Sequence, residues 1–333
     1  MTPLDRLVRE RIAIEGPIPY ATVIELALYH PEHGFYSRGG VAGRRGDFLT
    51  SPEVGPLFGG LVAEALDREW DRCGRPDEFV MVDAGAGPGT LARSIGAAEP
   101  RCREALVHVA VERSEAQRAQ HPDGIRSVGA MPTGPVTGLV FANELLDNLT
   151  FQPVLRVDGE WVDAVVEVRD GRLVTGPGPA AADGPDDGTD GFIAQRAAAR
   201  WLDEALTVLE RGRVIVVDYA RTSGADVEVR TYRGHERGGD PLADLGSQDI
   251  TVDVDLEQLA RRIRRPDSVT TQAEWLQTLG VEALVDEGRD QWNAGAAGGG
   301  LDALLGRSRI REAEALCDPD GLGSFTVAQW VVG

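Results

Sequence analysis

Short apolar runs alternate along the chain with segments whose apolar residues recur every three or four positions. This alternation predicts strands and amphipathic helices that follow one another along the chain. The apolar run Phe79–Asp83 leads into a glycine-rich turn and a helix that we expect to open near Thr90. This strand, turn and helix form the unit around which the other predicted elements are arranged.

The remaining patterns predict elements along most of the chain. Helical spacing predicts helices over residues 3–14, 20–29, 57–73, 193–211, 256–264, 272–279, 282–292 and 301–317. Apolar runs predict strands at residues 108–112, 138–141, 213–218 and 324–332, the last suited to a sheet edge. Two Asp-Gly pairs, at 158–159 and 170–171, separate β-rich runs and predict a small antiparallel meander. Residues 175–191, rich in Gly, Pro, Ala and Asp, are expected to form a mobile loop.

The glycine turn is the strongest candidate for a ligand site. Gly85 and Gly87 can adopt positive φ and let a ligand approach the backbone closely. The dinucleotide pattern fits poorly, because Thr90 stands where its last glycine belongs and Pro88 lacks a backbone donor. Glu112 also lies further on than the ~20 residues usual for the acid of a dinucleotide site. The turn alone favours S-adenosylmethionine, with a dinucleotide enzyme and a structural turn as the open alternatives.

Composition narrows the class of protein. The chain of 333 residues is long enough for an enzyme, and it has no lysine, which excludes lysine Schiff-base chemistry. A formal charge of −20 and a pI near 4.7 oppose a broad nucleic-acid surface and favour a cytoplasmic protein. The three cysteines suggest neither a disulfide framework nor a metal site. No apolar stretch approaches the ~18 residues of a membrane span, and we see no signal-peptide pattern.

Several motifs outside the turn resemble those of one family. They follow one another over nearly the whole chain: His-Pro-Glu-His-Gly-Phe-Tyr at 30–36, Gly-Asp-Phe-Leu-Thr-Ser-Pro-Glu-Val at 46–54, Asp-Ala-Gly-Ala-Gly-Pro-Gly-Thr-Leu at 83–91, Phe-Ala-Asn-Glu-Leu-Leu-Asp-Asn-Leu at 141–149, Val-Val-Asp-Tyr at 216–219, Tyr-Arg-Gly-His at 232–235, Gly-Ser-Gln-Asp-Ile-Thr at 246–251 and Gly-Leu-Gly-Ser-Phe at 321–325. The set resembles the MidA family of class I methyltransferases. Mitochondrial members of that family are assembly factors for respiratory complex I and dimethylate an arginine of a complex I subunit.

The resemblance implies a fold and a domain organisation. We expect a Rossmann-like class I methyltransferase sheet, mostly parallel with one antiparallel edge strand, an N-terminal helical region, and an inserted substrate region made of a β-meander and helices. The predicted cap covers residues 1–75, and the predicted core covers residues 76–333 with insertions at about 151–191 and 221–320.

The expected site residues fall into a cofactor group and an acceptor group. Gly85 and Gly87 should let S-adenosylmethionine approach, Asp83 should orient the turn or the amino end of the cofactor, and Glu112 should accept from the ribose hydroxyls. The cofactor group is Asp83, Gly85, Gly87, Gly89, Thr90 and Glu112. Carboxylates suit a guanidinium acceptor, with which they pair bidentately. The acceptor group is Glu53, Asn143, Glu144 and Asp147, and no metal is needed.

Two departures from the family pattern bear on the substrate. The family usually has proline where Thr150 stands and often histidine near Asp253. Neither departure touches the cofactor motif, so the resemblance supports cofactor binding more strongly than it supports the identity of the substrate. By resemblance we expect a methyltransferase acting on arginine of a protein, a complex I subunit in particular. The alternatives are an assembly factor that acts mainly by binding and a methyltransferase for a small molecule or peptide. An oligomer is possible.

Overall fold

The computed structural model describes residues 1–38, 50–181, 184, 189–221, 228–233, 236–295 and 301–333. The helices are α1 (Pro3–Glu15), α2 (Tyr20–Tyr29), α3 (Ser51–Val54), α4 (Pro56–Arg72), α5 (Thr90–Ala98), α6 (Glu115–Arg118), α7 (Arg196–Val208), α8 (Leu256–Arg262), α9 (Gln272–Thr278), α10 (Val281–Gly295) and α11 (Leu301–Leu316), with 3₁₀ turns at Tyr36–Arg38 and Leu322–Ser324. The strands are β1 (Ile18–Pro19), β2 (Phe79–Ala84), β3 (Leu106–Val111), β4 (Arg126–Val128), β5 (Val136–Asn143), β6 (Gln152–Val157), β7 (Glu160–Arg169), β8 (Arg172–Ala180), β9 (Gly191–Ala194), β10 (Leu209–Asp218), β11 (Ala220–Arg221), β12 (Val229–Arg233), β13 (Glu236–Arg237), β14 (Asp249–Val252), β15 (Val254–Asp255), β16 (Ser268–Thr271) and β17 (Thr326–Val332).

The chain forms two compact units, each assembled from separate segments. The sheet unit comprises Leu49–Leu145, Asp203–Tyr219 and Pro266–Gly333. The meander unit comprises Met1–Phe48, Leu146–Leu202 and Ala220–Arg265. The predicted cap over residues 1–75 and the predicted core over residues 76–333 stay predictions. The division into compact units does not show which segments cover a ligand site.

The sheet unit contains a sheet whose strands, within the described ranges, follow the order β16-β17-β10-β5-β2-β3-β4. Neighbours from β10 through β4 run parallel, and β17 is antiparallel to both β10 and β16. The predicted mostly parallel sheet with a late antiparallel strand is confirmed. That strand lies one position in from the edge, because β16 pairs with its outer side. The carboxyl ends of the parallel strands share one edge, where open α/β sheets place ligands.

Close packing fixes the strands and helices of the sheet unit. Phe58 of α4, Phe141 of β5 and Trp275 of α9 form a cluster of rings with centroids 6.3–6.4 Å apart. Gly138 allows β5 to pack beside β2, because a Cβ there would lie 1.8 Å from the Val80 carbonyl oxygen. These contacts pack β5 against β2 and against helices α4 and α9.

The meander unit holds an antiparallel sheet in which β7 pairs with β1, β6 and β8, and β6 also pairs with β9. The two predicted Asp-Gly hairpins are confirmed: Asp158 and Gly159 have φ of 51° and 87°, and Asp170 and Gly171 have φ of 50° and 72°. Positive φ at both central residues is the type I′ geometry that suits the twist of paired strands. Apolar faces of α1 and α2 pack in the core of this unit with Phe151.

Three predictions for the connecting segments need correction. Residues 172–180 form β8, so the loop predicted from residue 175 begins as a strand; antiparallel pairing with β7, with one register shift, outweighs its low-propensity Gly and Pro content. Residues 182–183 and 185–188 of that predicted loop lie outside the described residues. The helix predicted to Arg211 ends at Val208, because residues 209–211 already belong to β10. The polar passage after Arg221 contains β12, β13 and β14, short strands that its sequence pattern did not indicate.

No helix in the described part of the chain combines the length and apolar character needed to cross a membrane.

Candidate cofactor and acceptor site

The glycine turn joins the carboxyl end of β2 to α5. Gly85, Gly87 and Gly89 have φ of 74°, 54° and 81°, in the left-handed region where a side chain is disfavoured. The Gly85 and Ala86 amides donate to the Val111 carbonyl at 2.9 and 3.0 Å. The start of the turn is therefore tied to the end of the neighbouring strand β3. Gly89 is the N-cap of α5, whose first residue is Thr90 as predicted.

Glu112 follows β3 and holds the middle of the turn. Its Oε2 accepts from the Gly87 amide at 3.1 Å, and its Oε1 accepts from the Ser114 amide at 2.7 Å. Burial raises the pKa of Glu112, against the opposing effect of these two backbone donors. Both oxygens of the carboxylate thus face N–H groups, and the side chain lies beside the turn.

His121 holds the carbonyl group of the same residue, Gly87, and no local sequence pattern identifies this histidine. Its Nε2 lies 2.8 Å from the Gly87 carbonyl oxygen, and its Nδ1 lies 2.9 Å from Ser127 Oγ. A carbonyl only accepts, so Nε2 carries the proton. Gly87 is consequently fixed at its N–H by one side chain and at its carbonyl by another.

Asp83 lies near the end of β2 and is 4% exposed. Its Oδ2 lies 3.6 Å from Nε2 of His108 on β3, which is 8% exposed. Neither of these two enclosed atoms has a hydrogen-bond partner within the described residues.

Asn143 and Glu144 lie at the carboxyl end of β5, beside β2. Glu144 has a φ of 50°, which is unfavourable for a residue with a side chain. Its Oε1 accepts from Asn143 Nδ2 at 2.8 Å and from the Ser51 amide at 3.3 Å. The next residue, Leu145, donates its amide to buried Asp218 and would contact a Cβ on Gly85 at 3.1 Å. The turn after β5 therefore packs against the glycine turn.

Glu53 lies on the short helix α3 and is partly buried. Within the described residues its side chain makes no hydrogen bond or ion pair; residues 46–49 of its motif lie outside them. Ser51, at the start of α3, was not singled out from the sequence, yet its Oγ donates to Gln272 Oε1 at 2.9 Å. That bond anchors the helix that carries Glu53.

Asp147 belongs to the meander unit, although it lies only three positions after Glu144. It is buried and accepts from Thr251 Oγ1 at 3.0 Å. In the same unit Asp253, near the position where the family often has histidine, pairs with Arg221 and Arg230, which compensate its negative charge. The catalytic roles predicted for Glu53, Asn143, Glu144 and Asp147 stay predictions, as do the cofactor contacts.

The polar groups of the turn decide which kind of ligand fits. The backbone N–H groups of Gly85, Ala86 and Gly87 all have acceptors within the protein. The Gly89 N–H donates to the Ala86 carbonyl, and Pro88 has no N–H group. The turn therefore offers no row of donors for a pyrophosphate, and the Glu112 carboxylate would repel one. A phosphate-free adenosine with an amino-acid group fits: glycines permit close approach, Glu112 suits ribose hydroxyls, and Asp83 suits an ammonium group.

This fold and this site define a class I methyltransferase that uses S-adenosylmethionine. The profile of a family described as "Putative S-adenosyl-L-methionine-dependent methyltransferase" matches residues 61–274, and the chain belongs to that family. The sequence-based assignment to this family, its fold and its cofactor are confirmed.

Curated relatives and solved structures agree with this assignment. A Drosophila melanogaster protein named "Protein arginine methyltransferase NDUFAF7 homolog, mitochondrial" is 28% identical over 78% of this chain and 69% of its own length. The Homo sapiens protein arginine methyltransferase NDUFAF7 is also 28% identical, with the same coverage. A crystal structure of a Burkholderia thailandensis protein bound to S-adenosyl-homocysteine shares the fold, with a TM-score of 0.81, 23% identity, and coverage of 98% of this chain and 91% of that one.

Proposed function

We propose that this methyltransferase transfers the methyl group to a guanidinium nitrogen of an arginine in a protein substrate. The observation that carries the proposal is the Glu144 carboxylate, held by Asn143 and the Ser51 amide in an unfavourable left-handed backbone at the strand end next to the glycine turn. Strained backbone of this kind is retained where surrounding structure enforces it, often at functional sites. The names of the curated relatives support arginine as the acceptor.

A carboxylate in this position suits the chemistry of a guanidinium. Bound S-adenosylmethionine supplies a methyl group on a sulfonium. Glu144 would pair with the guanidinium, hold its plane, and favour the build-up of positive charge on it. As one nitrogen forms its bond to the methyl group, the methyl–sulfur bond would break, S-adenosylhomocysteine would leave as a neutral thioether, and the proton of that nitrogen would pass to solvent. Glu53, carried on anchored helix α3, is the second candidate carboxylate of the sheet unit.

The identity of the substrate protein, the cellular location and the oligomeric state belong to the same proposal. A complex I subunit as the substrate rests on the resemblance to MidA proteins. The relatives carry the word mitochondrial in their names, whereas the acidity of this chain led us to expect a cytoplasmic protein. Location, oligomeric state and a part for Asp147 in the acceptor site stay predictions.

The test is transfer of a deuterium-labelled methyl group from S-adenosylmethionine to proteins in an extract of source cells that lack the gene. Tandem mass spectrometry then locates the label. Glu144→Gln is the test variant, because the amide keeps an oxygen for the Asn143 and Ser51 donors and removes the charge. Glu78→Gln is the matched control: Glu78 is exposed in the same unit, one residue before β2 and thus at the other end of that strand.

We expect labelled arginine with the parent and the Glu78→Gln protein. We expect Glu144→Gln to lower turnover by about 10²–10³-fold, the usual effect of removing one group that stabilises developing charge, with unchanged affinity for S-adenosylhomocysteine. Label on another side chain or on a small molecule would replace the proposed acceptor. Cofactor binding without any transfer would favour an assembly factor that acts by binding.

A further inference from the structure

Two buried polar side chains lie side by side under the glycine turn without a hydrogen bond between them. Asp83 of β2 and His108 of β3 are 4% and 8% exposed, and Oδ2 of the first lies 3.6 Å from Nε2 of the second. Both atoms are enclosed and lack a partner within the described residues. A hydrogen bond between nitrogen and oxygen requires about 2.7–3.2 Å, so a shift of a few tenths of an ångström would form one.

The strand register explains why these two side chains meet. Met81 is paired with His108 and Asp83 with Ala110, so all four lie on one face of the parallel pair. Met81 is fully buried, which makes this face a core face. A buried polar atom without a hydrogen-bond partner costs free energy in a protein interior. Two apolar side chains would fill these positions without that cost. The polar pair therefore points to a function beyond packing.

The two oxygens of Asp83 have different surroundings. Oδ2 is enclosed and faces His108, whereas Oδ1 is not enclosed and makes no hydrogen bond to a described residue. Asp83 is followed within two residues by Gly85, the first glycine of the turn. Of the two roles predicted for Asp83, to orient the turn or the amino end of the cofactor, the second requires an oxygen open to the ligand, and Oδ1 is that oxygen.

We propose that His108 is a positioning residue for Asp83. With S-adenosylmethionine bound, the Nε2–H group of His108 donates to Oδ2 and fixes the plane of the carboxylate while Oδ1 receives the ammonium group. Because a carboxylate only accepts, the proton must sit on Nε2. The proposal rests on the cofactor and on the role of Asp83, and it is independent of the methyl acceptor.

The test compares two ligands by titration calorimetry on the full chain. S-adenosylhomocysteine carries the amino-acid group, and 5′-methylthioadenosine lacks it. His108→Phe keeps a ring and removes the donor, whereas His108→Gln supplies an amide nitrogen close to the position of Nε2. We expect His108→Phe to weaken the binding of S-adenosylhomocysteine by about tenfold or more, the usual effect of losing a hydrogen bond to a charged group. The affinity for 5′-methylthioadenosine should stay unchanged. His108→Gln should restore most of the affinity.

A merely structural His108 would give a different result. Equal weakening of both ligands, or a His108→Gln protein as weak as His108→Phe, would overturn the proposal. In an Asp83→Asn background His108→Phe should have little further effect, and additive losses would likewise count against it.

Nuclear magnetic resonance of the parent protein gives a test that does not depend on the folding of a variant. The His108 ring should carry its proton on Nε2, and that proton should move downfield on addition of S-adenosylhomocysteine and not of 5′-methylthioadenosine. A proton on Nδ1 alone, or identical responses to both ligands, would refute the assignment.

Discussion

Replacement of Glu112 tests the glycine turn most directly. Its two oxygens accept from two separate amides, Gly87 at 3.1 Å and Ser114 at 2.7 Å. Glutamine has one oxygen and one NH₂ group, so Glu112→Gln must turn a donor toward one of these N–H groups. This differs from Glu144, where Asn143 and Ser51 both donate to one oxygen and glutamine keeps both bonds.

The size of the effect follows from these contacts. A hydrogen bond to a charged group contributes about 1.5–3 kcal/mol, so two such bonds would contribute roughly 3–6 kcal/mol. Burial raises the pKa of Glu112, which means that the ionised form is disfavoured in the folded protein and offsets part of this gain. We expect Glu112→Gln or Glu112→Ala to lower the free energy of unfolding by about 2 kcal/mol. Loss of the predicted ribose contacts should weaken the binding of S-adenosylhomocysteine by about a hundredfold or more.

The pH dependence separates the two effects by sign. The raised pKa of Glu112 adds to the stability of the folded state at pH values below the ordinary pKa of glutamate. This contribution is lost as the pH rises through the raised pKa. The affinity for the cofactor should depend on pH in the opposite direction, because in the predicted contact the ribose hydroxyls donate to the ionised carboxylate. The affinity of the parent should therefore fall as the pH is lowered through the raised pKa of Glu112, and Glu112→Gln should remove that dependence.

The assay is calorimetric titration with S-adenosylhomocysteine over a range of pH, together with urea unfolding of the free protein. Glu115→Ala is the control, since Glu115 is exposed three residues further on and its side chain makes no hydrogen bond to a described residue. Parent-like affinity in Glu112→Ala would refute the ribose contact, and parent-like unfolding would refute its part in holding the turn.

Two further predictions concern glycines of the sheet unit. Gly85→Val and Gly87→Val should abolish S-adenosylhomocysteine binding in a folded protein. A β-branched residue at φ of 74° or 54° costs at least about 1–2 kcal/mol and shifts the turn. Retained affinity in calorimetry would place the ligand elsewhere. Gly138→Ala should lower the free energy of unfolding by about 3 kcal/mol or more in urea, since its Cβ would lie 1.8 Å from a carbonyl oxygen. Gly60→Ala lies in helix α4, and its Cβ would have no atom within 4 Å apart from its own stretch of helix. This change should instead raise the free energy of unfolding by about 0.5–1 kcal/mol, and equal effects of the two changes would contradict this reasoning.

Local sequence determined the elements that obey a period or a turn rule. Helices α1, α2 and α4, strand β2 and the two hairpins at 158–159 and 170–171 follow from apolar spacing and from Asp-Gly pairs, because these signals act over a few residues. Strands β12, β13 and β14 could not be predicted in this way. They are short and depend on pairing between segments separated along the chain, as in Val229 with Val252.

The glycine spacing and the distance to Glu112 indicated the cofactor, since both can be counted along the chain. The sequence could not show that Glu112 and His121 fix the two sides of Gly87, or that Asp83 meets His108 across a strand pair. Nor could it show that Glu144 and Asp147 belong to different compact units. These relations join residues that are distant in sequence, or divide residues that are near in it. Strand order and packing decide them, and only the tertiary structure contains that information.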